Sequence, residues 1–446
     1  MHIDFFLNQF KIKSDDDAII WKDKNYSFNW LIETIEIWSK KLKDDGIDSN
    51  SIVAIDGIFS PNTVAILFAL IEMQCIIVPF YKINKKKSNE LFELCMITKL
   101  ITIRKSVKIE SIESDIKKNN DLYKVLKKRK HPGLVLLSSG SSGHPKAAVH
   151  DFISLLEKFK VKRTPLRTIN FLSFDHWGGL NTMFHTLANS GTLIFTENRT
   201  PENICKLTDK FKIELWPVSP TFLNLLILGE SYKKYPLDSL KIISYGSEPM
   251  NEHVLLKCNK IFPHVKLHQT YGLIEVGVLH SKSKQNDSLW VKLGGEGYET
   301  RIIDNTLQIK STSTMLGYLN SPSPFTKDGW FNTEDQVEIK GNYFRILGRK
   351  SEIINVGGEK VYPTEIENII QKLDGILEVT VFGEKNPLIG NIVCAKIRID
   401  NKIDETEIIK KIKKYCRENM ERYKVPVKII LDDKIQYSDR FKKERV

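Results

Sequence analysis

Residues Leu137 to Lys146 read Leu-Ser-Ser-Gly-Ser-Ser-Gly-His-Pro-Lys, so Ser138, Ser139, Gly140, Ser141, Ser142 and Gly143 form an unbroken serine–glycine run closed by Lys146. Glycines let a backbone turn tightly and bring its N–H groups close to an anion. Serine hydroxyls add donors, and a lysine adds a mobile positive charge. The apolar run just before, Leu134 to Leu137, reads as a buried strand. A strand opening into such a turn is a cradle for phosphate groups. It is not the Walker A arrangement, where Gly-Lys is followed by Ser or Thr; here Lys146 follows Pro145 and precedes Ala147 and Ala148.

The order Ser-Ser-Gly-Ser-Ser-Gly-x-Pro-Lys resembles the phosphate loop of the adenylate-forming superfamily, which contains acyl-CoA synthetases, the adenylation domains of peptide synthetases and firefly luciferase. Further segments resemble that superfamily's motifs in the same order. Tyr245-Gly246-Ser247-Glu248-Pro249-Met250 is similar to the Gly-Gly-Glu-x-Leu segment that lies along adenine. Gln269-Thr270-Tyr271-Gly272-Leu273-Ile274-Glu275 is similar to Tyr-Gly-x-Thr-Glu, which implies that Tyr271 stacks near the base and Glu275 approaches a phosphate-bound Mg²⁺. Gly329-Trp330-Phe331-Asn332-Thr333-Glu334-Asp335 resembles Gly-Trp-Phe-x-Thr-Gly-Asp, implying that Asp335 accepts hydrogen bonds from both ribose hydroxyls. Gly348-Arg349 and the stretch Ile353 to Glu367 are similar to the family's hinge and first C-terminal helix, which adds Arg349, Gly358 and Lys360 to the expected nucleotide and thiol contacts.

The resemblance implies two half-reactions at one site. A carboxylate displaces pyrophosphate from ATP to give an acyl-adenylate, and a thiol then attacks the mixed anhydride. The family ends in Pro-x-Thr-x-x-Gly-Lys-x-x-Arg; aligning its arginine with Arg445 puts Lys442 on the catalytic lysine, with Lys443 as an adjacent competitor. Its C-terminal domain rotates about a hinge, here near Ser351, and presents Gly357 to Lys360 for the second step. Asp175-His176-Trp177-Gly178-Gly179-Leu180 resembles the acyl-CoA synthetase segment whose histidine walls the acid pocket; the amino-acid-activating relatives instead place an aspartate there, so His176 is the expected wall and Asp175 stays open. Trp177, Trp216 and Phe222 suggest a restricted pocket for a small or aromatic acid, or else are plain core. Three departures stand out. Ile274 replaces a threonine that contacts the α-phosphate and cannot donate a hydrogen bond; Glu334 replaces a glycine; Ser351 replaces an aspartate or lysine at the hinge. Free CoA is the expected acceptor, a separate carrier protein the alternative, and a nucleotide-binding relative with impaired catalysis a third reading. ATP, Mg²⁺ and CoA are the implied cofactors.

The elements that must hold these residues alternate strand and helix signals, the pattern of a parallel or mixed sheet covered by helices. Ala18 to Trp21 with Tyr26 to Phe28 reads as a hairpin, Trp30 to Leu42 as a helix, Ser51 to Ile55 as a strand, Pro61 to Met73 as a helix and Ile76 to Pro79 as a strand. Thr168 to Leu172, Thr192 to Phe195, Leu215 to Val218 and Lys241 to Ser244 continue the pattern, and short strands and turns take over near Gly294. The final segment reads as helix 363–372, strands 379–383 and 392–399, helix 405–420 and strand 428–431. The expected class is therefore α/β: a large N-terminal domain of mixed β-sheets layered with helices (1–348) and a small α+β C-terminal domain (349–446), mobile by the family resemblance.

With 446 residues, 41% of them hydrophobic, the chain can bury a large core. No apolar run reaches membrane-span length, and Met1 to Phe6 does not read as a secretion signal. The six cysteines, at 75, 95, 205, 258, 394 and 416, lack Cys-x-x-Cys spacing and read as reduced thiols, which points to the cytoplasm and away from a metal cluster. The net charge of +12 reflects lysine used throughout; the densest basic run, Lys124 to Lys130, has no interleaved stacking aromatics, so nucleic acid is not an expected partner.

Overall fold

In the computed structural model, the residues described are 2–49, 51–81, 83, 88–112, 120–138, 145–295, 297–400 and 403–432. Two seven-stranded sheets form the body among these residues. In the first, Ile52–Asp56 lies between Ile76–Phe80 and Lys99–Ile103, parallel to both, and Gly133–Ser138 extends the sheet parallel to Ile76–Phe80. Lys146–Asp151 then folds back antiparallel to Gly133–Ser138, with Ser138 opposite Lys146. Ile52–Asp56 and Ile76–Phe80 are buried along their whole length. That is why they read as unbroken apolar runs rather than alternating ones: helices cover both faces of a parallel strand. The helix Pro61–Glu72 is buried on nearly every side and starts from Ser60, whose hydroxyl accepts the Thr63 N–H.

The second sheet runs Lys266–Gln269, Ile242–Tyr245, Leu215–Val218, Arg167–Ile169, Thr192–Phe195, Asp17–Trp21 and Lys24–Ser27. All its pairings are parallel except the last, the hairpin read from the sequence. The expected strand from Thr168 to Leu172 is shorter than anticipated and shifted, ending at Ile169. A helix over Asp4–Ile12 was not anticipated; Phe6 and Phe10, one turn apart, bury against Phe68 and Phe184. One continuous core joins that helix, the first sheet and the helix Trp177–Ala188, and a second core fills the far side around Trp216 and Phe222.

A six-stranded antiparallel sheet follows, in which Phe331–Lys340 pairs with Tyr343–Arg349. Then Ile354–Val356, Glu359–Val361, Ile376–Asn386, Gly390–Ile399 and Lys428–Leu431 form a separate five-stranded sheet over the helices Pro363–Ile370 and Glu405–Asn419, with its own core. Hydrogen bonds tie this last unit to the body: Thr364 Oγ1 donates to the Leu347 carbonyl (2.5 Å), Asn368 Oδ1 accepts the Glu252 N–H (3.1 Å), and Asn224 Nδ2 donates to the Leu377 carbonyl (3.2 Å). All six cysteines are buried and unpaired as disulfides. Among the described residues, no helix is long and apolar enough to cross a membrane.

Candidate active site

In open parallel sheets, ligands bind beyond the carboxyl ends of the strands. Two expected segments emerge at that edge. Tyr245 ends its strand and runs into Gly246-Ser247-Glu248, while Gln269 ends the neighbouring strand and runs into Thr270 to Glu275. The turns press together: Thr270 donates its backbone N–H to the Tyr245 carbonyl (2.7 Å), and its hydroxyl donates to the same oxygen (3.0 Å). A Cβ on Gly246 would lie 2.4 Å from the Thr270 hydroxyl and 2.6 Å from its carbonyl, so only glycine fits. Glu248 turns back, and its Oε1 accepts the Thr221 N–H at 2.7 Å, in the first turn of the helix Pro220–Leu228.

Glu275 sits in the turn of a two-stranded ribbon, Gly272–Leu273 against Gly277–Val278. Its Oε1 accepts a 2.6 Å hydrogen bond from the Tyr318 hydroxyl. The Tyr318 ring lies 5.5 Å from the ammonium of Lys146, the first residue of the strand that leaves the serine–glycine run. Burial and the adjacent Glu275 carboxylate raise the Tyr318 hydroxyl's pKa, so it stays a donor. Ile274 packs partly buried against the main core, a hydrophobic use of its position.

Asp335 lies opposite Arg349 in the antiparallel pair of Phe331–Lys340 with Tyr343–Arg349. Its Oδ2 accepts a 2.5 Å hydrogen bond from the Tyr271 hydroxyl, and Arg349 Nε lies 3.4 Å from Oδ1. Burial raises the Asp335 pKa above the usual carboxylate range; Arg349 and the Tyr271 hydroxyl pull the other way. Burial opposes the Arg349 charge, while Asp335, Glu275, Tyr271 and Glu352 nearby favour it, and on balance its pKa is raised. Tyr271 itself is largely buried among Val276, Leu293 and Phe331, so its aromatic ring is held by packing and its hydroxyl by Asp335. Glu334, where the family pattern has glycine, adopts φ +61°, a backbone conformation that glycine tolerates and other residues resist.

The residues expected at the acid differ. His176 is the N-cap of the helix Trp177–Ala188, and its Nδ1 accepts the Gly178 N–H at 3.0 Å. An accepting Nδ1 leaves the ring proton on Nε2. Trp216 and Phe222 are core, not pocket wall: both are fully buried, and Trp216 Nε1 donates to Thr208 Oγ1 (2.9 Å). Trp177 is buried in the main core. Their size suits interior filling as well as a pocket, and sequence alone does not separate the two.

Ser139, Gly140, Ser141, Ser142 and Gly143 of the run, and Lys442 and Lys443 at the end, lie outside the described residues. Ser138 is described at the end of its strand. Gly358 and Lys360 are exposed on the hairpin Ile354–Val356 to Glu359–Val361, where the Gly357 N–H donates to the Ile389 carbonyl of the same unit (2.8 Å). A groove of 450 Å³ lined by Trp290, Val337, Leu347 and Tyr362 includes none of the expected site residues. Tyr318 and Asn320 do not stand out in the sequence; their one signal is that they follow the strand Thr306–Ser311 and precede the Gly329 to Asp335 segment.

Residues 6–319 match the family model of AMP-binding enzymes, and residues 365–442 match the model of the AMP-binding enzyme C-terminal domain. The chain belongs to the AMP-binding enzyme family. A 2-succinylbenzoate–CoA ligase of Listeria innocua is 24% identical over 456 residues, covering 94% of this chain and 93% of that protein. An indoleacetate–CoA ligase of Aromatoleum aromaticum is 23% identical over 94% of this chain and 91% of its own length. Among solved structures, the anthranilate CoA ligase AuaEII in complex with anthranoyl-AMP superposes with a TM-score of 0.83 at 16% identity, covering 99% of this chain and 95% of that one. ATP-bound MatB from Rhodopseudomonas palustris gives 0.78 at 20% identity, covering 99% and 97%. The fold is thus the family's mixed α/β body with a small C-terminal unit.

Proposed function

We propose that this AMP-binding enzyme activates a carboxylic acid with ATP, releasing pyrophosphate, and transfers the acyl group to the thiol of CoA. The observation that carries the reading is the joined cluster of Asp335, Arg349, Tyr271, Glu275, Tyr318 and Lys146. The CoA ligase names of relatives matched over nearly their whole length favour CoA as acceptor.

In this reading Asp335 accepts the ribose hydroxyls, and Gly246, Ser247, Glu248, Tyr271 and Gly272 border the base. Asp335 is suited to that task because its neighbours fix the carboxylate before a nucleotide arrives. Ser138, the serine–glycine run and Lys146 hold the polyphosphate. Glu275 fits a Mg²⁺ site, since a magnesium ion takes one or two carboxylates and completes its shell with phosphate and water. Tyr318 fixes one oxygen of that carboxylate, and Glu275 would offer the other to the cation. Mg²⁺, when bound, would neutralise phosphate charge. Repulsion between two anions is the main obstacle to attack, and Lys146 and Lys442 lower it with positive charge. The acid's oxygen bonds to the α-phosphorus as the bond to pyrophosphate breaks; the CoA sulfur then bonds to the acyl carbon as AMP leaves.

The proposed division falls at residues 348 and 349, with 1–348 as the adenylation domain and 349–446 as a lid. The last strand of the six-stranded sheet ends at Arg349 and the next sheet starts at Ile354, so the change of sheet falls within a few residues of that division, with Arg349 itself still paired in the body. The exposed Gly357 to Lys360 hairpin would reach the site only if the lid turned near Ser351. The test is acid-dependent exchange of labelled pyrophosphate into ATP across a panel of acids, followed by thioester formation with CoA or a phosphopantetheinylated carrier. No exchange with any acid would sink the reading; exchange with transfer only to the carrier would replace CoA as acceptor.

A further inference from the structure

After the strand Thr306–Ser311 the chain leaves the six-stranded sheet and adds a short strand, Gly317–Tyr318, to the edge of the first seven-stranded sheet, antiparallel to Lys146–Asp151. Backbone bonds seat it: Leu316 N–H to the Val149 carbonyl (2.7 Å) and Leu319 N–H to the Ala147 carbonyl (2.9 Å). Beyond the last strand residue the ladder is continued by a side chain. Asn320 Oδ1 accepts the Ala147 N–H (3.0 Å), and Asn320 Nδ2 donates to the Pro145 carbonyl (2.9 Å). One amide therefore holds the peptide groups on both sides of Lys146. The same strap reaches Glu275 twice, through the Tyr318 hydroxyl (2.6 Å) and through the Met315 N–H to the Glu275 carbonyl (2.8 Å).

Resting on the function proposed above, we infer that Asn320 and Tyr318 are positioning residues: Asn320 aims Lys146 at the polyphosphate, and Tyr318 orients the Glu275 carboxylate. The strap thereby spaces the cationic and carboxylate sides of the triphosphate site against each other. Lys146 has a flexible stem, and its direction depends on the backbone from which it springs. Asn320 is exposed, so its amide adds little to the core. Its two bonds act on the triphosphate half of the nucleotide; the adenosine half is held by other segments.

The prediction separates the half-reactions. Asn320→Ala raises the KM for ATP in pyrophosphate exchange about tenfold, as expected for a displaced charge. AMP binding by calorimetry, and thioester formation from preformed acyl-adenylate, stay within about twofold. Tyr318→Phe raises the Mg²⁺ concentration needed for half-maximal ATP binding, measured by calorimetry, and leaves AMP binding unchanged. A Lys146→Ala/Asn320→Ala double variant loses no more ATP affinity than Lys146→Ala alone, because Asn320 acts through Lys146. Additive losses, an unchanged ATP KM, or equal losses in both half-reactions would overturn the inference. If Asn320→Ala unfolds, Asn320→Ser, which keeps an acceptor for the Ala147 N–H, carries the same cycle. Wild-type protein without exchange activity would refute the proposed function itself, whereas active wild type with an insensitive Asn320→Ala refutes only the strap.

Discussion

The proposed nucleotide end and the proposed acid end of this molecule are built differently. At the nucleotide end charged and hydroxyl groups hold one another: Tyr271 to Asp335, Asp335 beside Arg349, Tyr318 to Glu275. At the acid end the residues with chemical promise have structural employment. His176 caps a helix, and Trp177, Trp216 and Phe222 fill cores. A polyphosphate and a ribose impose the same demands whatever acid is activated, so their partners must be charged, preset and spaced. An acid pocket is defined by which side chains leave room, a property of packing.

Variants can break or sharpen that contrast. The largest effect is expected from Lys442→Ala, which slows adenylate formation by about a hundredfold or more while sparing thioester formation from supplied adenylate; a Lys443→Ala variant with the stronger defect would move the assignment by one residue. Next comes Asp335→Asn, which keeps the shape but weakens acceptance from the ribose and leaves Arg349 without its carboxylate. It should cost about tenfold to a hundredfold in kcat/KM for ATP with little change in KM for the acid. Comparable losses for both substrates would dissolve the distinction between the two ends.

Burial lowers the pKa of His150, His185 and His268 from 6.5 to about 4, so each is neutral in the folded protein at pH 7. Below 6.5 the unfolded chain binds protons that the folded one refuses. The stability these histidines contribute is therefore whole above pH 6.5 and is lost as pH falls toward about 4. Thermal melts should show Tm dropping across that window, and a Tm flat across it would contradict their burial.

His176 is the sharpest probe of the acid end. His176→Asn keeps a good helix cap and loses Nε2–H; His176→Ala loses both, at about 1 kcal/mol of stability. A pocket wall predicts a raised KM for the acid in both variants, whereas a cap alone predicts wild-type kinetics for His176→Asn. The smallest effect is expected from Glu334→Gly. Relief of the left-handed backbone at φ +61° is partly offset by glycine's greater freedom when unfolded, for a net gain of about 0.5 kcal/mol in a denaturant melt.

Much of the body was legible because its cause is local. The strands Thr192–Phe195, Leu215–Val218 and Lys428–Leu431 fall where apolar runs predict them, and Pro61 starts its helix as a first-turn proline should. Asp4–Ile12 was missed although Phe6 and Phe10 carry its signal, because a single apolar pair one turn apart is a weak period in so short a segment. Asp335 and Glu275 were legible as candidates because a carboxylate in a turn-rich segment of recognisable order narrows the chemistry.

What the sequence determined alone was the family and its order of parts: a serine–glycine run with its lysine, two carboxylates, and a hinge-like segment before a compact final unit. Tertiary structure decided who holds whom. That Asn320 meets the backbone around Lys146 across 173 and 175 positions, and that Tyr271 meets Asp335 across 64, follows from sheets that bring distant strands into register. Hydrogen bonds are short-ranged and directional, so such pairings exist only once the sheets have closed, and no local pattern announces them.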